Sequence, residues 1–334
     1  MYKNRIKSIN MISLSFYWLL LLFLNVFIIG CGSPTEPPQK NVDRNVPPSE
    51  NFDASYGFWG PDGSTIYFTH SGELGSEPDV GKLDQLWEMN LKTGERRLIH
   101  TGRILNADIS PDGRWFVFQS FGVPQYLYKM RSDGTELQKL TGSSSPNSDF
   151  EYTVVARWSP NEKKILFSVS AGVSRGVALM NKDGSNPRII IPYGIHASWS
   201  SDGSKIIYVN YDTTKALGNQ QQIYIANSDG SHPRRITNLK NTQFNISAPD
   251  LSPNSQKIVF VHNKELYITK VDSECVEQVT TGPGYVVRPE WNPDGKTILF
   301  SRIILNVSKR LYYLNVATRE VTPVFPAAKN DNSN

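Results

Sequence analysis

Cysteine is nearly absent. The chain of 334 residues holds two, Cys31 and Cys275, too few for a disulfide framework. The fold must therefore rest on its apolar core, and a chain this long can bury enough surface to do so. Charge of one sign is scarce as well. Thirty-five Lys and Arg against 31 Asp and Glu leave a formal +4, and three of the positive charges, Lys3, Arg5 and Lys7, fall in the first thirty residues. Without them the remainder stands at +1, which lacks the basic footprint of a nucleic-acid binder. The five histidines, His70, His100, His196, His232 and His262, are scattered, and none shows the close ligand spacing of a zinc site. A helical period is missing throughout. Nothing in this inventory calls for a metal or a cofactor.

What is present is repetition. Ser110-Pro111-Asp112-Gly113 leads into the apolar run WFVF, and five other stretches say nearly the same thing. They are Gly60-Pro61-Asp62-Gly63, Ser159-Pro160-Asn161-Glu162, Ser200-Ser201-Asp202-Gly203, Ser252-Pro253-Asn254-Ser255 and Asn292-Pro293-Asp294-Gly295. Counted at the Pro position, the spacings are 50, 49, 41, 52 and 40 residues, the period of a repeat architecture. Pro presets φ, Asp bonds its own backbone two residues on, and Gly accepts φ > 0, so each stretch is a turn. Two residues before every Pro position stands a large apolar side chain: Trp59, Ile109, Trp158, Trp199, Leu251 or Trp291. Each turn therefore joins two strands.

A third strand follows each hairpin: LWEMN (86–90), LYKMR (127–131), VALMN (177–181), IYIAN (223–227), LYITK (266–270) and LYYLN (311–315). Further turns such as Ser132-Asp133-Gly134 lead to a fourth, as in RRLIH (96–100), LQKLT (137–141), RRIT (234–237) and EQVT (277–280). The Asp-Gly turns lack the alternating carboxylates of a calcium loop. Four strands in each of six units predict an all-β six-bladed β-propeller of four-stranded antiparallel blades over residues 52–326. Strand runs such as WFVF are apolar at adjacent positions, which suits blades buried on both faces. A β-sandwich of the same length has no reason to repeat one hairpin six times. Two closures of the ring stay open: blades 1 and 6 meet by packing alone, or the segment before Phe52 adds an outer strand.

The pattern Trp-Ser-Pro-Asp-Gly-Lys-x-Ile-x-Phe, followed by Leu-Tyr-x-Met-Asn-x-Asp-Gly, resembles the repeat of TolB-like propellers, relatives of the WD-type repeat. The resemblance runs from about Phe52 to Phe325. It implies a scaffold that binds a protein or peptide of the cell envelope, as a monomer and without catalysis. A glycan-binding or glycan-cleaving surface protein is the alternative, because related propellers carry carbohydrate chemistry.

Residues 1–30 read as a signal peptide, with a basic start and an apolar stretch from Met11 to Ile29. The stretch ends in Ile28-Ile29-Gly30-Cys31, which resembles the bacterial lipobox and predicts lipidation at Cys31. A membrane-spanning anchor of about 19 residues is the competing reading. Gly32 after the Cys leans toward the outer membrane. Residues 31–51 form a linker with five prolines, at 34, 37, 38, 47 and 48, and about 20 residues at roughly 3.1 Å each let it reach ~60 Å. Residues 327–334 read as a disordered polar tail.

One catalytic motif matches by letters. Gly172-Val173-Ser174-Arg175-Gly176 is G-x-S-x-G, which needs a helix after the serine. Here a strand follows, so it reads as a hairpin loop. The candidate site comes instead from aligning repeats. Three residues before the Pro position stand Phe58, Asp108, Arg157, Ser198, Asp250 and Glu290; five before it stand Tyr56, Asn106, Val155, His196, Ala248 and Arg288. Side chains alternate along a strand, which predicts that both sets share one side of the innermost strand. Asp108, Arg157, His196, Asp250, Arg288 and Glu290 are then expected to ring the channel mouth, either as a polar ligand site or as charges that neutralise one another across water.

Overall fold

The computed structural model describes residues 54–325 apart from 71–84, 103, 121–123, 143–149, 151, 170–174, 212–220, 241–245, 274 and 305–307. The expected signal peptide, Cys31, the proline-rich linker, the blade-1 loop and the tail lie outside the described residues. No helix occurs among the described residues, and none is long and apolar enough to cross a membrane.

The described chain makes 24 strands in six antiparallel sheets of four, each sheet taken in chain order. The six innermost strands are Ala54–Trp59, Ile104–Ile109, Thr153–Trp158, Ile195–Trp199, Ile246–Leu251 and Tyr285–Trp291. This is the expected six-bladed propeller. One apolar cluster fills each of the six blade interfaces. The fourth residue of every second strand is aromatic: Phe68, Phe118, Phe167, Tyr208, Phe260 or Phe300, none more than 4% exposed. Four of them stack on a tyrosine of the third strand with ring centroids 5.6–5.9 Å apart, Phe118 on Tyr128, Tyr208 on Tyr224, Phe260 on Tyr267 and Phe300 on Tyr312. Burying one such ring contributes about 2–3 kcal/mol.

The turns close through side chains as well. The serine before the Pro position accepts the backbone N–H of the residue that opens the second strand, Trp115, Lys164, Lys205 or Lys257, at 2.9 Å in each case. Glu162 and Ser255 replace the turn glycine and still adopt φ of 59° and 57°.

The outer strands are shorter than expected: 137–141 shrinks to Gln138–Lys139 and 234–237 to Arg234–Arg235. The reason is a threonine. Thr141, Thr237 and Thr280 each accept, at the side-chain oxygen, the N–H of the residue that would continue the ladder, Leu127, Ile223 or Leu266. A hydroxyl takes over the backbone's role and the strand ends there.

Blades 1 and 6 meet by packing, with no strand shared among the described residues. Trp59 stacks on Tyr313 at 5.7 Å, Phe68 meets the edge of Phe325 at 5.4 Å, and Asn292 donates to the Gly63 carbonyl at 2.9 Å.

Candidate functional site

Every innermost strand carries the same defect. The ladder slips between Ser55 and Phe58, Leu105 and Asp108, Ile195 and Ser198, Ser247 and Asp250, and Val287 and Glu290, and blade 3 slips likewise. The residue five before the Pro position lies in the left-handed region in all six blades, from φ 47° at Asn106 and Ala248 to 53° at His196. This is a β-bulge. The next residue is buried and small or proline: Gly57, Ala107, Ala156, Ala197, Pro249 or Pro289. At Gly57 an added Cβ would stand 2.8 Å from Leu311.

The bulge breaks the simple alternation behind the expectation that the two aligned sets share a side, although Arg288 of the second set still reaches Phe58 of the first. Simple alternation puts residues three and five before the Pro position together. With one extra residue inserted, Ser55 and Phe58 are the ones opposite Thr69 and Tyr67 on one face. Three of the bulge residues turn their N–H groups to the preceding blade. Tyr56 donates to the Ser301 hydroxyl at 3.0 Å, His196 to Ser168 at 3.1 Å and Val155 to the Gln119 side chain at 3.4 Å. The sequence reading missed these three buried polar residues. Their signal was a polar side chain at the fifth position of an otherwise apolar second strand.

Five of the six candidate residues come together. Asp108 accepts the Trp158 N–H at 2.8 Å, Asp250 the Trp291 N–H at 2.9 Å and Glu290 the Trp59 N–H at 3.0 Å. Each carboxylate thus latches its blade to the next one around the ring. Arg157 of blade 3 lies 3.7 Å from Asp108 of blade 2 and 3.9 Å from Glu290 of blade 6. Blades 3 and 6 are opposite in a ring of six, so this side chain crosses the channel. Arg288 lies over the Phe58 ring, 5.1 Å from its centroid, and donates to the Ala107 carbonyl of blade 2. At this level Asp108, Arg157, Arg288 and Glu290 meet around the Phe58 ring.

The electrostatics follow from that crowding. The side chains of Arg157, Asp108 and Glu290 are only 14%, 15% and 17% exposed. Burial pushes Glu290 up to about 7 against the pull of Arg157 and Arg288, and Asp250 up to about 6 against the Trp291 N–H and Arg157. Asp108 is raised by burial too, with Arg157 pulling it back. Burial works against the Arg157 charge, but Asp108, Glu290 and Asp250 outweigh it, so its pKa rises. Arg288 is lowered by burial and by Arg157 beside it; a guanidinium remains charged all the same. Nη1 of Arg157, Nε and Nη1 of Arg288 and Oε2 of Glu290 are buried without a hydrogen-bond partner.

His196 does not join them. It is pushed down to about 4 by burial alone, so it sits neutral at the bulge of blade 4. Of the G-x-S-x-G stretch, residues 172–174 lie outside the described residues, and Gly176 opens the strand Gly176–Asn181. A strand stands where a nucleophile elbow needs a helix.

The antiparallel order gives the ring two unlike faces. Turns between first and second and between third and fourth strands share one face and are uniformly tight. The opposite face holds the strand ends that the second-to-third and blade-to-blade connections join, among them the described hairpin Asn263–Lys264 and the corner Tyr193–Gly194.

Residues 173–325 match the family model described as the TolB beta propeller domain. An uncharacterized protein of Agrobacterium fabrum is 28% identical over 178 residues, which is 49% of this chain and 57% of that protein. The Tol-Pal system protein TolB of Bordetella pertussis is 25% identical over 143 residues, 41% of this chain and 32% of that protein. The chain thus spans little more than half, or less, of the curated relatives it matches. Among solved structures, TolB from Acinetobacter baumannii aligns with a TM-score of 0.55 at 20% identity, over 72% of this chain and 56% of that one. An oligogalacturonate lyase from Vibrio parahaemolyticus aligns at 0.54 and 15% identity, over 80% and 79%. At these identities the two structures share the fold.

Proposed function

We propose that this chain, which carries a TolB-like six-bladed propeller, is a non-enzymatic scaffold of the cell envelope, lipid-anchored at Cys31, that binds a protein or peptide partner. The observation that carries this reading is the asymmetry of the ring. One face is built from near-identical tight turns, and the strand ends joined by the connections that vary most in sequence length lie on the other. Binding residues concentrate on loops held by a rigid scaffold, so the partner docks on the face of irregular connections. The matches to TolB of the Tol-Pal system support an envelope address and a protein ligand.

The channel charges support binding over cleavage. A carboxylate that acts as general acid or base must be free to reach a substrate. Asp108, Asp250 and Glu290 instead each hold a backbone N–H of the neighbouring blade. In this reading the cluster ties the ring together and floors the channel mouth. The glycan-cleaving alternative would need at least one of these latches released.

The test is photocrosslinking in cell envelopes from the full chain, with a photoreactive side chain at Lys264 on the face of irregular connections or at Lys163 on the turn face. Protein adducts from position 264 and none from 163 are expected. Adducts from 163 alone, or an unsaturated sugar product when the purified protein meets oligogalacturonate, would overturn the proposal.

A further inference from the structure

The passage from blade 3 to blade 4 is a corner at Tyr193 and Gly194, on the face of irregular connections. Tyr193 is 67% exposed, against 42% for Leu137 and 40% for Val321, the other large apolar side chains that stand out on the described surface. Its backbone is left-handed at φ 60°, a conformation that costs a residue with a Cβ about 1–2 kcal/mol. The corner does not relax because it is clamped. The Tyr193 N–H donates to the Arg175 carbonyl at 3.1 Å. A Cβ on Gly194 would stand 2.9 Å from Ile191 and 3.0 Å from Val177, so the chain is pressed onto the blade core. An aromatic ring is thus held outward in water by a strained backbone, and strain of this kind persists only where the surrounding structure over-determines it.

Its neighbours suit a ligand of one charge. Arg175 is exposed and has no carboxylate within ion-pair distance among the described residues. Tyr211, at the end of the second strand of blade 4, is half-buried and accepts from the Gln221 side chain at 3.3 Å. Burial raises its hydroxyl, and Arg175 is near enough to act against that rise. Tyrosine and arginine are among the residue types that dominate interface energetics. A rigid ring also loses little entropy on binding.

We propose that Tyr193, Arg175 and Tyr211 form a preformed patch that anchors an acidic segment of the protein partner. This rests on the scaffold reading above and adds the place and the chemistry of contact. Arg175 pairs with a carboxylate of that segment, while the Tyr193 ring packs against its apolar neighbours.

The experiment places the photoreactive residue at position 193 of the full chain, beside the variants at positions 264 and 163. The expected adduct at 193 lies on an acidic stretch of a protein. That stretch, made as a synthetic peptide, should bind the full chain and lose about tenfold or more in affinity with Arg175→Glu and with Tyr193→Asn. Asn tolerates the left-handed backbone, so Tyr193→Asn should keep or raise the thermal midpoint while it loses binding. Adducts from 264 but none from 193 would sink the patch and leave the scaffold reading standing. So would a glycan adduct at 193, an uncharged target stretch, or an affinity indifferent to Arg175→Glu. Silence from both 193 and 264 would sink the two together.

Discussion

Glu290→Gln isolates the energetics of the channel. Burial pushes the carboxyl up to about 7 in the fold from its ordinary 4.5. A carboxyl whose folded pKa is raised binds its proton more tightly when folded. Its contribution is therefore fully present below pH 4.5 and is lost as pH rises through 7. That rise corresponds to ~3 kcal/mol. Asp250, raised to about 6, acts in the same direction. His196, lowered to about 4 from 6.5, acts in the opposite one, losing stability as pH falls from 6.5 toward 4. The raw pH profile of the wild type therefore mixes opposing slopes, and the difference between wild type and Glu290→Gln is the quantity to measure. Gln keeps an oxygen for the Trp59 N–H and removes the charge, leaving Asp108 and Asp250 against Arg157 and Arg288. Urea unfolding at fixed pH values from 4.5 to 8 should show the variant gaining on the wild type by about 3 kcal/mol across the window, then running level above it. A difference that stays flat, or that favours the wild type at high pH, would refute a buried carboxyl held near neutrality.

Trp158→Ala should cost about 3–5 kcal/mol in chemical denaturation, because the ring is 6% exposed between blades 2 and 3; a loss below about 1 would mean that interface is not close-packed. Gly57→Ala should cost about 1–3 kcal/mol by overpacking, since its Cβ meets Leu311, and a neutral result would show that the bulge has room to move. Cys31→Ser should move the protein from the membrane to the soluble fraction on fractionation; retention in the membrane would favour a spanning anchor.

The blade count, the strand order within a blade and the turn at each hairpin were legible because they are local. Pro-Asp-Gly makes its turn from its own φ preferences and side-chain bonds, and six copies of one pattern leave little freedom in architecture. The bulge was written in the chain as well, as a small residue or proline four before each Pro position, but alternation was assumed where an inserted residue broke it. Thr141, Thr237 and Thr280 also stood in plain view at the end of three of the four fourth runs. Their side chains ended the strands early by taking an N–H that the ladder would otherwise hold.

The sequence by itself determined the repeat, its turns and the charge at each inner position, since these depend on residues within a few places of one another. Only the tertiary structure decided which charges meet. Arg157 reaches Glu290 across 133 positions of chain because two blades stand opposite in a closed ring, and His196, at a matching place in its own repeat, is left neutral and alone. Partner choice across a ring depends on side-chain length and on the one-residue shift of a bulge. Neither can be summed along the chain, because each contact needs the whole circle to be closed first.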